Sequence, residues 1–279
     1  MKKYLESRFD INSPKLVEVF DELPLWAAPF GIHLLERVVL RRNMTALDLG
    51  FGAGFPLVEL AMRIGRDGKV FGIDPWKAAA NRARKKIAVY GIENIEIIEG
   101  VAESIPLDSA SVDLVTSNNC LNNVDDLEKA LSECSRVLKP SGQFLQTMNL
   151  DGTMLEFYRI MEIVLKDLDL KSAIGKMREQ IRAKRKPLDE TIRCIEDAGF
   201  RIEEVLHDSF RYRFIDGSTM LDHYFIRLAF LDGWRHIVPK NREEEIFDEI
   251  EKRMNKEAAK EGSFKLSVPF VVIDSRRKN

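Results

Sequence analysis

The stretch at residues 46–56, ALDLGFGAGFP, carries an apolar, strand-like run directly into three glycines that alternate with other residues. A glycine-rich turn lets backbone amides approach a ligand closely, because a Cβ atom would collide or would forbid the necessary dihedral angles. A GxG pair alone is also compatible with a tight turn that binds nothing. Its position after the first strand of an alternating pattern, however, is where open α/β sheets bind ligands. The stretch therefore predicts an α/β fold with a ligand site at the loop.

Downstream of the loop, short apolar runs alternate with longer amphipathic ones, which is typical of a parallel α/β sheet. The runs predict five strands, at 44–49, 69–73, 95–98, 112–116 and 143–149. Helical spacing lies between them at 56–63, 75–90 and 124–138, and the last helix is expected to stop at Lys139-Pro140-Ser141-Gly142. Right-handed crossovers would place these helices on both faces of the sheet.

The flanking regions predict further helices around this core. Two helices joined by a Pro-containing turn are expected at 13–23 and 30–41, where they could cover the open end of the sheet. After the fifth strand, the pattern predicts one or two helices at 153–186, a helix at 187–198, one long strand or two short ones at 200–214, helices at 218–234 and 242–261, and a final strand at 264–273. We predict a single domain over 1–279, with an N-terminal helical cap at 1–43, a binding core at 44–150 and the remaining sheet with helical lid insertions at 151–279.

Composition excludes several classes of function. The net charge is −2, so no global positive field would attract nucleic acid or an anionic membrane, and no apolar run approaches the roughly 20 residues that span a bilayer. The N-terminus has no apolar signal region. The 3 cysteines and 4 histidines lack the spacing of metal ligands. We therefore expect a cytoplasmic protein without metal, membrane insertion or nucleic-acid partner.

Two acidic residues narrow the choice of ligand. Asp74 ends the second strand, twenty residues beyond Gly54, where a carboxylate can accept both hydroxyl hydrogens of a ribose. NAD would also use such an acid, but the dinucleotide fingerprint is GxGxxG and this loop is GxGxG. Asp48, two residues before Gly50, suits a cationic amino-acid group better than a pyrophosphate. S-adenosylmethionine carries such a group.

Four motifs appear in a characteristic order, namely DLGFGAG at 48–54, GIDPW at 72–76, EGVAESIPLDSASVDLV at 99–115 and RVLKPSG at 136–142. With them, the span 44–150 resembles the class I S-adenosylmethionine-dependent methyltransferases. It is most similar to the small-molecule branch (methyltransferase type 11) that includes the ubiquinone/menaquinone-biosynthesis C-methyltransferases, in which a dipeptide like Asn123-Val124 precedes the helix leading to RVLKPGG. The resemblance implies a Rossmann-like, seven-stranded, mostly parallel sheet with helices on both faces, N-terminal helices and helical insertions after strands 5 and 6. It also implies S-adenosylmethionine as cofactor and a small organic molecule as methyl acceptor.

The family pattern assigns expected cofactor contacts by position. Asp48, Gly50, Gly52 and Gly54 would line the methionine end, Asp74 would hold the ribose, Ile73 and Pro75 would flank the adenosine, Ala102 and Glu103 would meet the adenine edge, and Asn118 would lie near the methyl group. The chain departs from the family at Val101, where members commonly carry an Asp that accepts from the adenine amino group. Glu103 or a backbone carbonyl is the expected substitute.

The loop after the fourth strand, at 117–123, is where the catalytic candidates lie. Asn118 and Asn119 could accept a hydrogen bond from a nucleophile or hold a substrate oxygen, but asparagines also take turn conformations and cap helices. The loop is not NPPY or DPPY, which disfavours methylation of an amino group on a DNA base. Cys120 could resemble the thiol of arsenite methyltransferases, although Cys134 and Cys194 show no convergence on it, which favours a structural cysteine.

Further candidates lie in the insertions. His223, next to Tyr224, is the histidine that we select as a possible general base, although histidines more often have structural partners. Segment 171–186 holds seven basic residues that could clamp an anionic substrate or nucleic acid, or could form a solvated face of a lid helix. The aromatic residues Phe225, Phe230 and Trp234 indicate either core packing or a wall for a planar acceptor.

We expect methyl transfer by in-line displacement to a small organic acceptor, in a protein that is a monomer or a homodimer. Alternatives are methylation of RNA or protein, with the basic segment as docking surface, and a non-catalytic S-adenosylmethionine-binding protein. The last is motivated by Val101 and by the absence of an obvious base.

Overall fold

Seven strands form one sheet in a computed structural model, which describes residues 2–6, 9–10, 12–20 and 25–279. The strands are β1 Thr45–Leu49, β2 Lys69–Asp74, β3 Ile95–Glu99, β4 Val112–Asn118, β5 Leu138–Asn149, β6 Phe200–Phe214 and β7 Phe264–Arg277. Their order is β3-β2-β1-β4-β5-β7-β6. The pairs among β1 to β5 are parallel and β7 runs antiparallel to β5. The predicted mostly parallel α/β fold is therefore confirmed.

Helices precede, connect and follow the strands. Their bounds are α1 Lys3–Glu6, α2 Pro14–Phe20, α3 Ala27–Glu36, α4 Leu57–Ile64, α5 Lys77–Tyr90, α6 Leu127–Val137, α7 Leu155–Asp167, α8 Lys171–Lys184, α9 Leu188–Asp197, α10 Gly217–Asp222, α11 Tyr224–Ile226, α12 Asp232–Ile237 and α13 Glu243–Glu261. Single turns of 3₁₀-helix lie at Leu121–Asn123 and Lys240–Arg242, and a π-helix lies at Arg227–Leu231.

The chain divides into two compact units, which we name the core unit and the second unit. The core unit is Asp10–Asn149, Pro187–Asp208 and Phe270–Asn279, and the second unit is Met1–Phe9, Leu150–Lys186 and Ser209–Pro269. The prediction of one domain, with divisions after 43 and 150, stays a prediction.

The central strands β1 and β4 of the core unit's sheet are buried on both faces. In β1 every residue from Ala46 to Leu49 is buried, as expected for a parallel strand with helices on either side. Helix α4 presents Leu57, Leu60 and Ala61 at helical spacing to this core. Since β1 leads through α4 to β2 on one side and β4 leads through α6 to β5 on the other, right-handed crossovers place α4 and α6 on opposite faces.

One helix boundary differs from the sequence prediction. The helix expected at 30–41 is α3, which starts at Ala27 and ends at Glu36. Gln143 explains the end, because its side chain donates to the Arg37 carbonyl at 2.9 Å and accepts from the Val39 amide at 3.0 Å. A side chain on a distant strand thus satisfies the backbone groups that a continuing helix would have used.

A second difference lies at the start of β5. The sequence predicts a stop between helix and strand at Lys139-Pro140-Ser141-Gly142, but these residues lie inside β5, which begins at Leu138. Leu138 pairs with Val112, and the register shifts between Val112 and Leu114. The irregular backbone, with Ser141 at φ 61°, accommodates Pro140 and Gly142 within the strand. Of the helix predicted at 13–23, α2 covers Pro14–Phe20, and 21–23 lie outside the described residues.

The second unit is mainly helical. Its longest helix, α13, packs against α7 and α10. Arg253 on α13 forms an ion pair with Asp167 on α7 at 2.8 Å, and Tyr4 on α1 donates to Glu251 at 2.8 Å. The prediction of one or two helices within 153–186 is confirmed, since α7 and α8 are two helices.

Candidate functional site at the glycine-rich loop

The glycine-rich loop leaves the carboxyl end of β1 with three glycines in left-handed backbone conformations. The φ angles are 71° at Gly50, 53° at Gly52 and 115° at Gly54. A Cβ atom on Gly50 would lie 2.3 Å from Cys120 Sγ, whereas one on Gly52 would meet no atom within 4 Å. Gly50 is therefore needed for packing, and Gly52 presents its backbone to open space, where a ligand can approach it.

Asp74, at the end of β2, braces this loop. Its Oδ2 accepts from the Gly52 amide at 2.8 Å and its Oδ1 accepts from the Trp76 amide at 2.7 Å. Burial raises the pKa of this carboxyl, and the two amides oppose the rise. Each carboxylate oxygen can accept more than one hydrogen bond, so Asp74 can hold the loop and still accept from a ribose.

Asp48 lies beneath the loop with no exposed surface. Thr116 Oγ1 donates to its Oδ1 at 2.7 Å, and Oδ2 is buried without a hydrogen bond of regular geometry in the described part of the chain. Burial raises the pKa of Asp48 to about 7; the charge of Asp74 adds to the rise, while Thr116 and the Leu57 amide oppose it. The expected contact of Asp48 with a methionine moiety stays a prediction.

The residues expected beside the adenosine and at the adenine edge differ in exposure. Pro75 is exposed and Ala102 is buried. Glu103 is the expected substitute for the acid missing at Val101, but its Oε1 accepts from the amides of Asp125 at 2.9 Å and Asp126 at 3.3 Å. Its carboxylate therefore holds the backbone of the two residues that precede α6.

The two candidate catalytic asparagines are held in place by hydrogen bonds. Asn118 accepts from Thr147 Oγ1 at 3.0 Å and donates to the Ala27 carbonyl at 3.1 Å, so it joins β4 to β5 and to α3. Asn119 has a left-handed backbone with φ 56°, and its Oδ1 accepts from Asn122 Nδ2 at 3.2 Å. Both side chains thus form hydrogen bonds that hold the local structure together, and a catalytic role for either one stays a prediction.

Cys120 has the properties of a structural cysteine. Desolvation raises the pKa of its thiol to about 12, and the nearby charges of Asp74, Asp48 and Glu103 add to the rise. Burial also raises the pKa of Cys134. No cluster of three metal-ligating side chains occurs among the described residues. Because their pKa values are raised, the Cys120 and Cys134 thiols are poor nucleophiles at neutral pH.

Sequence reasoning missed the two threonines that position the site. Thr116 binds Asp48, and Thr147 binds Asn118. Both are buried within strands. A hydroxyl in a strand that the pattern predicts to be buried is a signal that could have identified them, because buried hydroxyls need partners.

His223 belongs to the second unit. Its ring lies 5.3 Å from that of Phe214 and 6.2 Å from that of Tyr212, and its Nδ1 is buried without a hydrogen bond to the described residues. Burial lowers the pKa of this imidazole, which favours the neutral form. A neutral imidazole is the form that a general base requires, and the role stays a prediction.

Comparison with known proteins assigns the family. A family model described as a methyltransferase domain matches residues 47–146. The ubiquinone/menaquinone biosynthesis C-methyltransferase UbiE of Cronobacter sakazakii is 32% identical over 191 residues, which cover 61% of this chain and 74% of that relative. The chain belongs to the class I S-adenosylmethionine-dependent methyltransferases. S-adenosylmethionine is therefore its cofactor.

Other proteins are similar to this methyltransferase over a shorter span or in fold alone. UbiE of Escherichia coli O1:K1 is 36% identical over 123 residues, or 42% of this chain, and the matched part spans about half, 49%, of that relative. The YcgJ protein of Bacillus subtilis has a TM-score of 0.57 at 19% identity, with 90% of this chain and 99% of that chain covered. At this identity the similarity shows the fold alone.

In the described part of the methyltransferase, no helix combines the length and apolar character needed to cross a membrane.

The residues at the loop fit S-adenosylmethionine. The open space at Gly52 admits a ligand to the loop backbone, and the buried Asp48 carboxylate can complement a positive charge nearby. Asp74 supplies acceptors for ribose hydroxyls. The chain's own residues thus provide the donors, acceptors and charge that the cofactor requires, while the individual contacts stay predictions.

We expect Gly52→Ala to weaken cofactor binding much more than it affects folding. The added methyl group meets no protein atom, so the folded state should lose only about 1 kcal/mol from the left-handed backbone. Because the methyl group occupies the ligand's approach, binding of S-adenosylhomocysteine should weaken about tenfold or more, equivalent to about 1.4 kcal/mol. Calorimetric titration and urea unfolding measure the two effects.

Gly91→Ala is the matched control, since Gly91 also has a positive φ, 63°, and open space where a Cβ atom would lie, but it caps the end of α5. It should show the same loss of stability with unchanged affinity. Equal affinities for Gly52→Ala and Gly91→Ala would contradict the assignment of the loop.

Proposed function

We propose that the protein transfers the methyl group of S-adenosylmethionine to a small organic acceptor by in-line displacement. The observation that carries the proposal is the loop geometry: Gly52 is open to a ligand while its amide is fixed by Asp74 at 2.8 Å. The bound cofactor supplies an activated methyl group on a positively charged sulfur. The chain supplies orientation, which can lower a barrier by roughly 7–11 kcal/mol when the reacting atoms are well aligned.

A ring carbon of a hydroxylated aromatic compound is the acceptor class that we favour. Support comes from the relatives, which are named as C-methyltransferases of ubiquinone/menaquinone biosynthesis. The asparagines beside the loop add to it, because Asn118 and Asn119 are engaged in structural hydrogen bonds and offer no strong base. If the acceptor's own hydroxyl activates its ring, such a site does not need to supply a strong base.

Several features disfavour a macromolecular acceptor. The net charge of −2 provides no general attraction to RNA. In the basic segment, Arg178 on α8 is already paired with Glu162 on α7 at 2.8 Å. RNA or protein methylation, and cofactor binding without turnover, are therefore outcomes of the test rather than parts of the proposal.

Transfer of label tests the proposal. The protein is incubated with methyl-labelled S-adenosylmethionine and a cell extract, which is then separated into organic-soluble, RNA and protein fractions. We expect label in the organic-soluble fraction, and the Asp74→Ala variant should abolish it. Label in RNA or protein would contradict the small acceptor, and cofactor binding without label in any fraction would indicate a non-catalytic protein. Cytoplasmic location and a monomeric or homodimeric state stay predictions.

A further inference from the structure

Arg185, the residue that follows α8, is a buried cation without a counterion in the described part of the chain. Its exposed fraction is 4%, and its Nε is buried without a hydrogen bond to the described residues. Its polar contact is Nη1 with Tyr158 Oη at 3.5 Å. Several other arginines of the second unit pair with carboxylates, such as Arg253 with Asp167 at 2.8 Å. Burial of an unpaired guanidinium costs stability, so its presence needs an explanation.

The neighbours of Arg185 do not neutralise its charge. Tyr158 Oη also accepts from Trp234 Nε1 at 3.0 Å and donates to Gln180 Oε1 at 3.3 Å. The guanidinium lies 5.3 Å from the centre of the Tyr158 ring, a cation–π contact that offsets part of the cost. The end of α8 contributes favourable carbonyl dipoles. None of these groups carries a full negative charge.

Flat aromatic rings adjoin the Tyr158–Arg185 pair. Trp234 stacks on Phe157 with 3.8 Å between ring centres and on Phe230 with 5.8 Å, at interplanar angles of 21° and 28°. Phe230 lies in the π-helix Arg227–Leu231, and π-helical turns occur frequently at functional sites. The second unit thus combines a buried cation with a stack of planar apolar surfaces.

We propose that Arg185 is the anchor of an anion site in the second unit, which binds the carboxylate of a flat, apolar molecule. The guanidinium is planar, and its Nε–H and an adjacent Nη–H can donate in parallel to the two oxygens of one carboxylate. The aromatic stack beside it suits an aromatic ring. This site goes beyond the proposed function, and its test requires neither cofactor nor methyl transfer.

Benzoate, benzamide and inorganic phosphate are the probes for the intact protein. Benzoate should bind the wild-type protein by calorimetric titration, and Arg185→Met should weaken that binding about tenfold or more. Arg185→Lys should retain part of the affinity, because it keeps the charge but loses the fork. Benzamide has the same shape without the charge and should not bind. Lys184→Met removes an exposed neighbouring cation and should bind benzoate as the wild type does.

Thermal unfolding of the ligand-free variants separates this site from a structural role. Since Arg185→Met removes an unpaired buried charge, its Tm should equal or exceed that of the wild type. A marked fall in its Tm, together with no benzoate binding by the wild type, would assign Arg185 to packing and overturn the proposal. Phosphate binding as tightly as benzoate would overturn the choice of a flat carboxylate. Equal benzoate affinities for Arg185→Met and Lys184→Met would overturn the role of Arg185.

Discussion

Asp48→Asn is expected to be more stable than the wild-type protein at pH 8, with the advantage disappearing as the pH falls toward 4. The pKa of the buried Asp48 carboxyl is about 7 in the folded state, against 3.8 in the reference state. The folded protein therefore holds the proton more tightly than the unfolded chain does. For such a group the free energy of unfolding is greatest below pH 4, decreases between about pH 4 and pH 7, and is constant above that range.

The size of the effect follows from the two pKa values. Their difference corresponds to roughly 4 kcal/mol of lost stability above pH 7, as an order of magnitude. Asparagine keeps the acceptor for Thr116 but places an amide group where Oδ2 is unpartnered, which costs about 1–3 kcal/mol. The net gain of Asp48→Asn at pH 8 should therefore be about 1–3 kcal/mol.

Urea unfolding of wild type and Asp48→Asn at pH 5, 6, 7 and 8 measures this gain. Comparison between the two proteins removes the contributions of other titrating groups. Asp67→Asn, at an exposed acid near the opposite end of β2, is the control and should show no such pH-dependent difference. If Asp48→Asn were destabilised equally at all four pH values, the ionised carboxylate would not be the source of the cost.

The buried charge of Asp48 also has a functional consequence. A carboxylate that destabilises the fold at neutral pH is consistent with a role in binding a positively charged ligand. S-adenosylmethionine carries a sulfonium and S-adenosylhomocysteine does not, so the loss of this charge should affect the first more than the second.

The sheet was predictable because its determinants are local. The run from Ala46 to Leu49 is buried and is apolar except for Asp48, and glycines follow it directly. The end of α3 and the start of β5 were not predictable in this way. Gln143 reaches the backbone of Arg37 and Val39 across more than 100 positions, and Leu138 pairs with Val112 through a register shift. Interactions between distant parts of the chain overrode the local pattern there.

The candidate site shows the same division between local pattern and distant partners. The spacing of the glycines and Asp74 indicated a ligand loop, and in the structure the Asp74 carboxylate accepts a hydrogen bond from that loop. The sequence could not show that Asn118 is engaged by Thr147 and Ala27, or that Glu103 is engaged by two backbone amides. A polar residue type indicates what a side chain can bond, whereas its partner depends on the folded chain.

Asp74→Ala should cause a large loss of cofactor affinity. The substitution removes the acceptor of the Gly52 and Trp76 amides, so the loop loses its brace at the point where a ligand approaches. It also removes the predicted acceptor of the ribose hydroxyls. Hydrogen bonds to a charged group contribute about 1.5–3 kcal/mol each, so binding of S-adenosylmethionine and S-adenosylhomocysteine should weaken about 100-fold or more. Calorimetric titration measures both ligands.

Two variants show whether this loss is specific to the carboxylate. Asp74→Asn retains one carbonyl acceptor and should weaken binding less than Asp74→Ala does, whereas Asp67→Ala removes an exposed acid near the other end of β2 and should bind as the wild type does. Thermal unfolding of each variant establishes that the chain is folded during the titration. Unchanged affinity in folded Asp74→Ala, or tighter binding of NADH than of S-adenosylmethionine by the wild type, would contradict the assignment. The first result would show that Asp74 does not belong to the binding site, whereas the second would show that the site binds a different cofactor.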